Sequence, residues 1–253
     1  MPNNDHDRSE RPPVSDQRNP QQAMTMTPRM IQLSESGVTV EFGDTIDLPT
    51  NELVSAFTSA VDQAGIPGLI EIVPAYRSAT VYFDALLTDA ITIMNHLRAL
   101  TVNLAAGPSR PSVTHTIPVW YGETAGPDLA EVAAQSGLTP GDAAALHASV
   151  TYRVFMLGFS PGFPYLGILP APLAAPRLPT PRKRVAAGSV GIAGTQTGIY
   201  PQASPGGWRI IGRTPVVLFN LRRPMPFLLA HGDHVRFVPI DEEEFRGLTG
   251  DQA

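Results

Sequence analysis

Cysteine is absent from the 253 residues, which excludes disulfides, a thiolate nucleophile and any cysteine-ligated metal or cluster. Lysine is nearly absent, Lys183 being the only one. That leaves no P-loop of the form G-x-x-x-x-G-K-[ST] and no Met-Lys-Met attachment site for biotin. No apolar run approaches the ~20 residues of a membrane span, and the start of the chain lacks the apolar core of a secretory signal. The expectation is a soluble, cytoplasmic protein with no metal site.

Acidic residues are missing from one long stretch. Between Asp142 and Asp233 there is no Asp or Glu, whereas Arg153, Arg177, Arg182, Lys183, Arg184, Arg209, Arg213, Arg222 and Arg223 all fall inside it. The whole chain has a formal charge of −5, so its positive charge is localised. Such a run can form a surface that receives an anion, because the arginine fork matches carboxylate and phosphate. Its members can equally pair with the acidic amino-terminal half or face water. The negative net charge, with aromatics set among Pro and Gly and no basic stripe, argues against nucleic acid.

What the same stretch does contain is Gly, Pro and aromatic residues in four blocks: Gly158–Gly167, Arg177–Arg182, Ala187–Gly194 continuing to Tyr200, and Ser204–Arg213. Glycine permits positive φ and close approach, and proline fixes φ without offering an N–H, so these blocks predict shaped loops between short strands. Pro161, Gly162, Phe163 and Tyr165 would shape the first loop, and Pro205, Gly206, Gly207 and Trp208 the last. Candidate binding groups are the amides from Gly188 to Gly194, the hydroxyls of Ser160, Ser189, Thr195, Thr197 and Tyr200, the amide of Gln196, and Arg182, Arg209 and Arg213. That set suits holding a carboxylate, phosphate or developing oxyanion and suits proton abstraction poorly. No carboxylate pair and no Ser-His-Asp triad is legible there, which leaves His147, Gln196 and Tyr200 as catalytic candidates. The glycines can also serve barrel corners alone, with Phe163 and Trp208 as core.

In chain order, residues 1–28 are polar and without apolar periodicity, which predicts a disordered tail. Ile31–Leu33 and Val38–Phe42 predict a hairpin about Ser34–Gly37. Thr50 or Asn51 can cap a helix with Leu53, Phe57, Val61 and Ala64 on one face, stopped by Gly65. Leu69–Val73 and Thr80–Phe83 predict strands, followed by a helix from about Thr88 with Ile91, Met94, Leu97 and Leu100 inward. Its His96 lacks the neighbours a metal site needs. Gly107–Pro111 predicts a linker, giving an α+β domain over 29–108 and a second domain over 109–253.

In the second part, Val113–Tyr121 predicts a strand broken or bent at Pro118. Asp128–Gln135 and Pro140–Leu146 predict two short helices, the second capped by Thr139 and closed by His147. Their spacing is that of a helix-turn-helix, but Gly122 to Thr151 holds no Lys or Arg, so phosphate anchors are missing. Strands are expected around Val190–Ile192, Trp208–Ile211, Val216–Phe219 and Val235–Val238, with a terminal helix from Asp241 that frays at Gly247. Many short strands among Gly and Pro favour a closed or nearly closed barrel.

Taken together, the four blocks resemble the family of the 5-oxoprolinase B subunit. That family includes Kip-type inhibitors of sporulation histidine kinases and proteins named allophanate hydrolase subunit 1, and it is related to half of a urea carboxylase carboxyltransferase domain, subdomain C and D. The resemblance runs from about Ile31 to Ile240, with Ala186 standing where the family usually has Pro. It implies an α+β fold, a small amino-terminal α+β domain followed by a cyclophilin-like β-barrel. It also implies a subunit, inactive alone, of an ATP-dependent 5-oxoprolinase built with partner subunits A and C, in which ATP is a cosubstrate of the complex. The same resemblance leaves open an inhibitor docking on a histidine kinase, and a carboxyltransferase-type subunit handling a urea- or allophanate-like substrate.

Overall fold

The computed structural model describes residues 27–102, 104, 111–122 and 124–250. Residues 1–26 of the expected tail and 107–110 of the expected linker lie outside them.

Alternation organises the first part. Val38 and Val40 on one strand, and Ala79, Val81 and Phe83 on another, point to the same side and are buried. The strands β1 (Arg29–Ser34), β2 (Gly37–Glu41), β3 (Leu69–Pro74) and β4 (Ser78–Phe83) form an antiparallel sheet in the order β1-β2-β4-β3. Helices α1 (Leu48–Ala64) and α2 (Ala90–Thr101) cover its apolar face through Val54, Phe57, Val61, Ile93 and Leu97. Each starts on an aspartate: Asp47 accepts from the Thr50 amide and Asp89 from the Thr92 amide, both at 2.8 Å. The first cap therefore precedes the expected Thr50 or Asn51, because Pro49 is well suited to the first helical turn. Gly65 ends α1 at φ 57, as expected. Phe57, Val61 and Leu97 are buried and Met94 and Leu100 pack against the core as expected, but Val54 is buried instead of Leu53, Ile93 instead of Ile91, and Ala64 is exposed. Apolar residues flank both stripes, so a 3.6-residue period alone could not choose between them. His96 is exposed.

The second part is a barrel. Its chain runs β5 (Thr114–Tyr121), α3 (Leu129–Ala134), α4 (Pro140–Ala148), β6 (Thr151–Leu157), β7 (Pro164–Gly167), β8 (Arg182–Val185), β9 (Ser189–Ala193), β10 (Gln196–Ile199), β11 (Ser204–Gly206), β12 (Arg209–Arg213), β13 (His234–Ile240) and α5 (Glu242–Gly250). Seven of these strands close in the order β10-β7-β6-β13-β5-β12-β9, with β9 pairing back to β10, while β8 and β11 pair separately. Ile117, Val119, Tyr152, Val154, Val190, Ile192, Ile211, Val235 and Phe237 fill the main core. Phe163, Val185, Ala193, Tyr200, Trp208 and Ile210 form a smaller, aromatic core of their own, with Tyr165 packed on it.

Three expectations are corrected here. β5 is not broken at Pro118, because β12 pairs with it only at Trp120 and Tyr121 and no ladder bond is lost on that side. Val216–Phe219 is not a strand: Pro224 and Pro226 on the facing limb have no N–H to give, and only an isolated Phe219–Phe227 bridge forms. α5 continues past Gly247, anchored by Phe245, which is buried with its ring 5.5 Å from that of Trp120.

Asn51 ties the first sheet to the barrel. From α1, fully buried, it donates to the carbonyls of Tyr76 at 3.0 Å and Phe155 at 3.1 Å and accepts from Arg153 Nε at 2.8 Å. Arg153 also donates to Ser55 Oγ at 2.7 Å.

Candidate functional site

The arginines of the acid-free stretch have divided fates. Arg182 is held bidentately by Asp128 at 2.9 and 2.7 Å, and the same carboxylate accepts the Ile210 amide at 2.6 Å. Arg209 is buried, with Glu131 at 2.5 Å and its Nε donating to the Pro176 carbonyl at 3.1 Å. Both acids come from the start of α3, just ahead of the stretch that lacks them. The fold thus corrects the open anion site expected from Arg182 and Arg209: β12 lies beside α3, and the two acids reach across. Arg213 is engaged more lightly, donating to the Ala187 carbonyl at 2.9 Å with its guanidinium 5.7 Å from the Phe245 ring centre.

The amides expected to cradle an anion are engaged too. The Gly188 N–H donates to Tyr200, that of Ser189 to Ala186 and that of Gly194 to Ala175, while the intervening residues run in β9. Gly188 is needed for another reason: at φ 80, an added Cβ would sit 2.3 Å from the Thr214 carbonyl oxygen. Gly194 is exposed, whereas Ser189 is buried.

His147 lies wholly inside the barrel, stacked 4.7 Å from the Phe237 ring. Its Nδ1 meets the Tyr121 hydroxyl at 2.7 Å and its Nε2 the Thr197 hydroxyl at 2.9 Å. Burial lowers its pKa to about 3, so the ring is neutral. Tyr200 is also buried, its hydroxyl accepting the Trp208 amide. A Cβ on Gly206, the last residue of β11, would stand 2.3 Å from that hydroxyl, which explains the glycine there. The hydroxyls of Ser160 and Ser204 are buried without a hydrogen-bond partner among the described residues.

One face remains open. The Leu178 amide donates to the Gly207 carbonyl at 2.7 Å, and Pro176 receives Arg209, so the backbone on either side of Arg177 is pinned over the aromatic core. Arg177 itself is exposed and has no hydrogen-bond or ion-pair partner among the described residues. Burial raises the pKa of Tyr76, Tyr165 and Tyr200, and the Arg177 charge pulls each of them back. The Tyr76 hydroxyl donates to Gln196 Oε1 at 2.8 Å, and its ring meets that of Tyr165 edge-on at 5.7 Å. Gln196 Nε2 is buried with no acceptor among the described residues.

Beside this group stands Phe159, 63% exposed and at φ 63. A bulky residue in the left-handed region costs on the order of 1–3 kcal/mol, and such positions cluster at functional sites. The turn that holds it is closed by the Gly158 amide donating to the Phe163 carbonyl and the Phe163 amide to Ser160. Its ring lies 5.5 Å from Phe163 and 6.4 Å from Tyr200.

Of the residues singled out in the sequence, Phe163, Tyr165, Trp208, Tyr200 and Gln196 meet at this face, while Arg182, Arg209 and His147 are committed elsewhere. Tyr76 carries no signal of its own, since it sits in a β3–β4 turn far from the basic stretch. Arg177 opens one of the four blocks, but nothing in the sequence distinguishes it from Arg182.

Residues 28–229 match the family described as carboxyltransferase domain, subdomain C and D. The 5-oxoprolinase B subunit of Bacillus subtilis (strain 168) is 38% identical over 232 residues, 88% of this chain and 97% of that protein. The protein of the same name from Escherichia coli O157:H7 is 42% identical over 217 residues, 85% of this chain and 97% of that one. The crystal structure of TTHA0988 superposes with a TM-score of 0.73 at 38% identity, covering 82% of this chain but only 40% of the other, so this chain spans about two-fifths of that longer one.

Proposed function

This chain belongs to the family of carboxyltransferase domains, subdomain C and D, and we propose that within it the chain is the B subunit of an ATP-dependent 5-oxoprolinase. The observation that carries this reading is the 38% and 42% identity to proteins of that name, matched over 97% of their length. The reaction opens the lactam of 5-oxoproline to glutamate while ATP becomes ADP and phosphate. Transfer of the γ-phosphoryl to the lactam oxygen activates the ring carbon. Water then adds there, the C–N bond breaks with the electron pair leaving on nitrogen, and a second water hydrolyses the resulting acyl phosphate.

The site geometry supports a binding role in that sequence. The open face offers a guanidinium, phenol hydroxyls and aromatic walls, and among the described residues no carboxylate is paired with them. We therefore assign it half of an active site, with the acid/base groups and the ATP site on cognate subunits A and C. Orientation and charge stabilisation are contributions such a half can make.

The test is an assembly purified from its host through a tag on this chain. It should form ADP and glutamate in equal amounts from 5-oxoproline and ATP, and the isolated chain should form neither. An intact assembly without 5-oxoproline-dependent ADP formation overturns the assignment. Turnover by the chain alone overturns the half-site.

A further inference from the structure

We propose that Arg177 and the hydroxyl of Tyr165 form the subsite for the carboxylate of a small cyclic acid, with the Tyr76 oxygen beside them as an acceptor. The proposal rests on the functional reading above only for the identity of that acid, 5-oxoproline.

Three observations point to it. The first is availability: Arg153, Arg182 and Arg209 are all committed to other side chains, whereas Arg177 is exposed and unpaired among the described residues. The backbone is fixed at Pro176 and Leu178, so the Cα from which the uncommitted guanidinium extends is held in place.

The second is the setting. Tyr76, Tyr165 and Phe163 stand in ring contact at 5.7 and 5.0 Å, with Trp208 behind them and the exposed Phe159 ring alongside. Rings on one side shield a bound anion from water and strengthen its pairing with Arg177, and they offer a flat wall to a planar lactam.

The third is donor and acceptor polarity. The Tyr165 hydroxyl has no partner among the described residues and is free to donate to a carboxylate. The Tyr76 proton is committed to Gln196, so its oxygen can only accept, which suits the ring N–H of a lactam. Gln196 Nε2, buried without an acceptor, is the kind of donor that a bound oxygen or water satisfies.

The decisive measurement uses the assembly purified through this chain, carrying Arg177→Ala, Arg177→Lys or Tyr165→Phe. Steady-state kinetics is run for 5-oxoproline and ATP, alongside equilibrium binding of 5-oxoproline and of 2-pyrrolidinone, the same ring without its carboxylate. Arg177→Ala should raise the KM for 5-oxoproline about tenfold or more and leave that for ATP unchanged, the usual effect of losing a charged hydrogen bond. Arg177→Lys should recover part of the loss, Tyr165→Phe should show a smaller rise, and 2-pyrrolidinone should bind wild type and Arg177→Ala equally. An unchanged KM in an intact Arg177→Ala assembly overturns the subsite while leaving the functional reading standing. A wild-type assembly that forms no ADP overturns the functional reading, and the binding arm then judges the subsite. Saturable 5-oxoproline binding that disappears in Arg177→Ala upholds it, and binding that is absent or independent of Arg177 overturns it.

Discussion

Arginines from one acid-free stretch do opposite things on this barrel. On the α3 side, Arg182 and Arg209 face Asp128 and Glu131 and are part of the structure. On the tyrosine side, Arg177 is fixed by its backbone and left open by its side chain. The contrast shows that a run of one charge sign does not reveal which of its members are neutralised. The partners stood ahead of the run, at the start of a short helix whose position beside β12 only the closed barrel determines.

The contrast is broken most directly at Asp128. Asp128→Ala leaves the Arg182 fork and the buried Ile210 amide without an acceptor, and unfolding in urea should show a loss of about 3 kcal/mol. A loss below about 1 kcal/mol would mean that the α3 side is not structural after all.

His147 extends the closed side into the interior, and its signature is a pH dependence. Unfolded, the ring titrates near its ordinary 6.5; folded, near 3. Above 6.5 neither state is charged, so the folded protein is not penalised. As pH falls from there, only the unfolded chain takes up the proton, and stability drops by about 1.4 kcal/mol per pH unit. Wild type should therefore lose about 2–3 kcal/mol more than His147→Gln between pH 6.5 and about 4.5. Parallel curves for the two proteins would place a proton on the buried ring.

The smallest effects sharpen the contrast by thermal unfolding. Arg213→Ala, which loses a carbonyl contact and its position over Phe245, should cost about 0.5–1 kcal/mol. Arg177→Ala should stay within about 0.5 kcal/mol of wild type. If Arg177→Ala destabilises more than Arg213→Ala, its side chain has a structural partner and the open face is not open.

Much of the fold is legible in the sequence because it is local. The β1–β2 hairpin, the Gly65 stop, the Thr139 cap and the two short helices each depend on a few adjacent residues whose chemistry has one good solution. The strands β8, β10 and β11 escape because they are only three or four residues long, too short for a period to read, and β8 is almost wholly charged while β10 and β11 carry Gly. The site is only half legible for a related reason. Phe163, Tyr165, Gln196 and Trp208 stand out through their blocks, whereas Tyr76 arrives from another sheet and Arg177 is set apart only by its place beside Tyr76 and Tyr165.

Asn51 gives this arrangement a mechanical meaning. By grasping the carbonyls of Tyr76 and Phe155 at once, it clamps a turn of the first sheet to a barrel strand, and that clamp keeps the Tyr76 hydroxyl within reach of Gln196. The proposed binding face is thus a seam, one wall drawn from the sheet and the other from the barrel, joined through the Tyr76–Gln196 hydrogen bond.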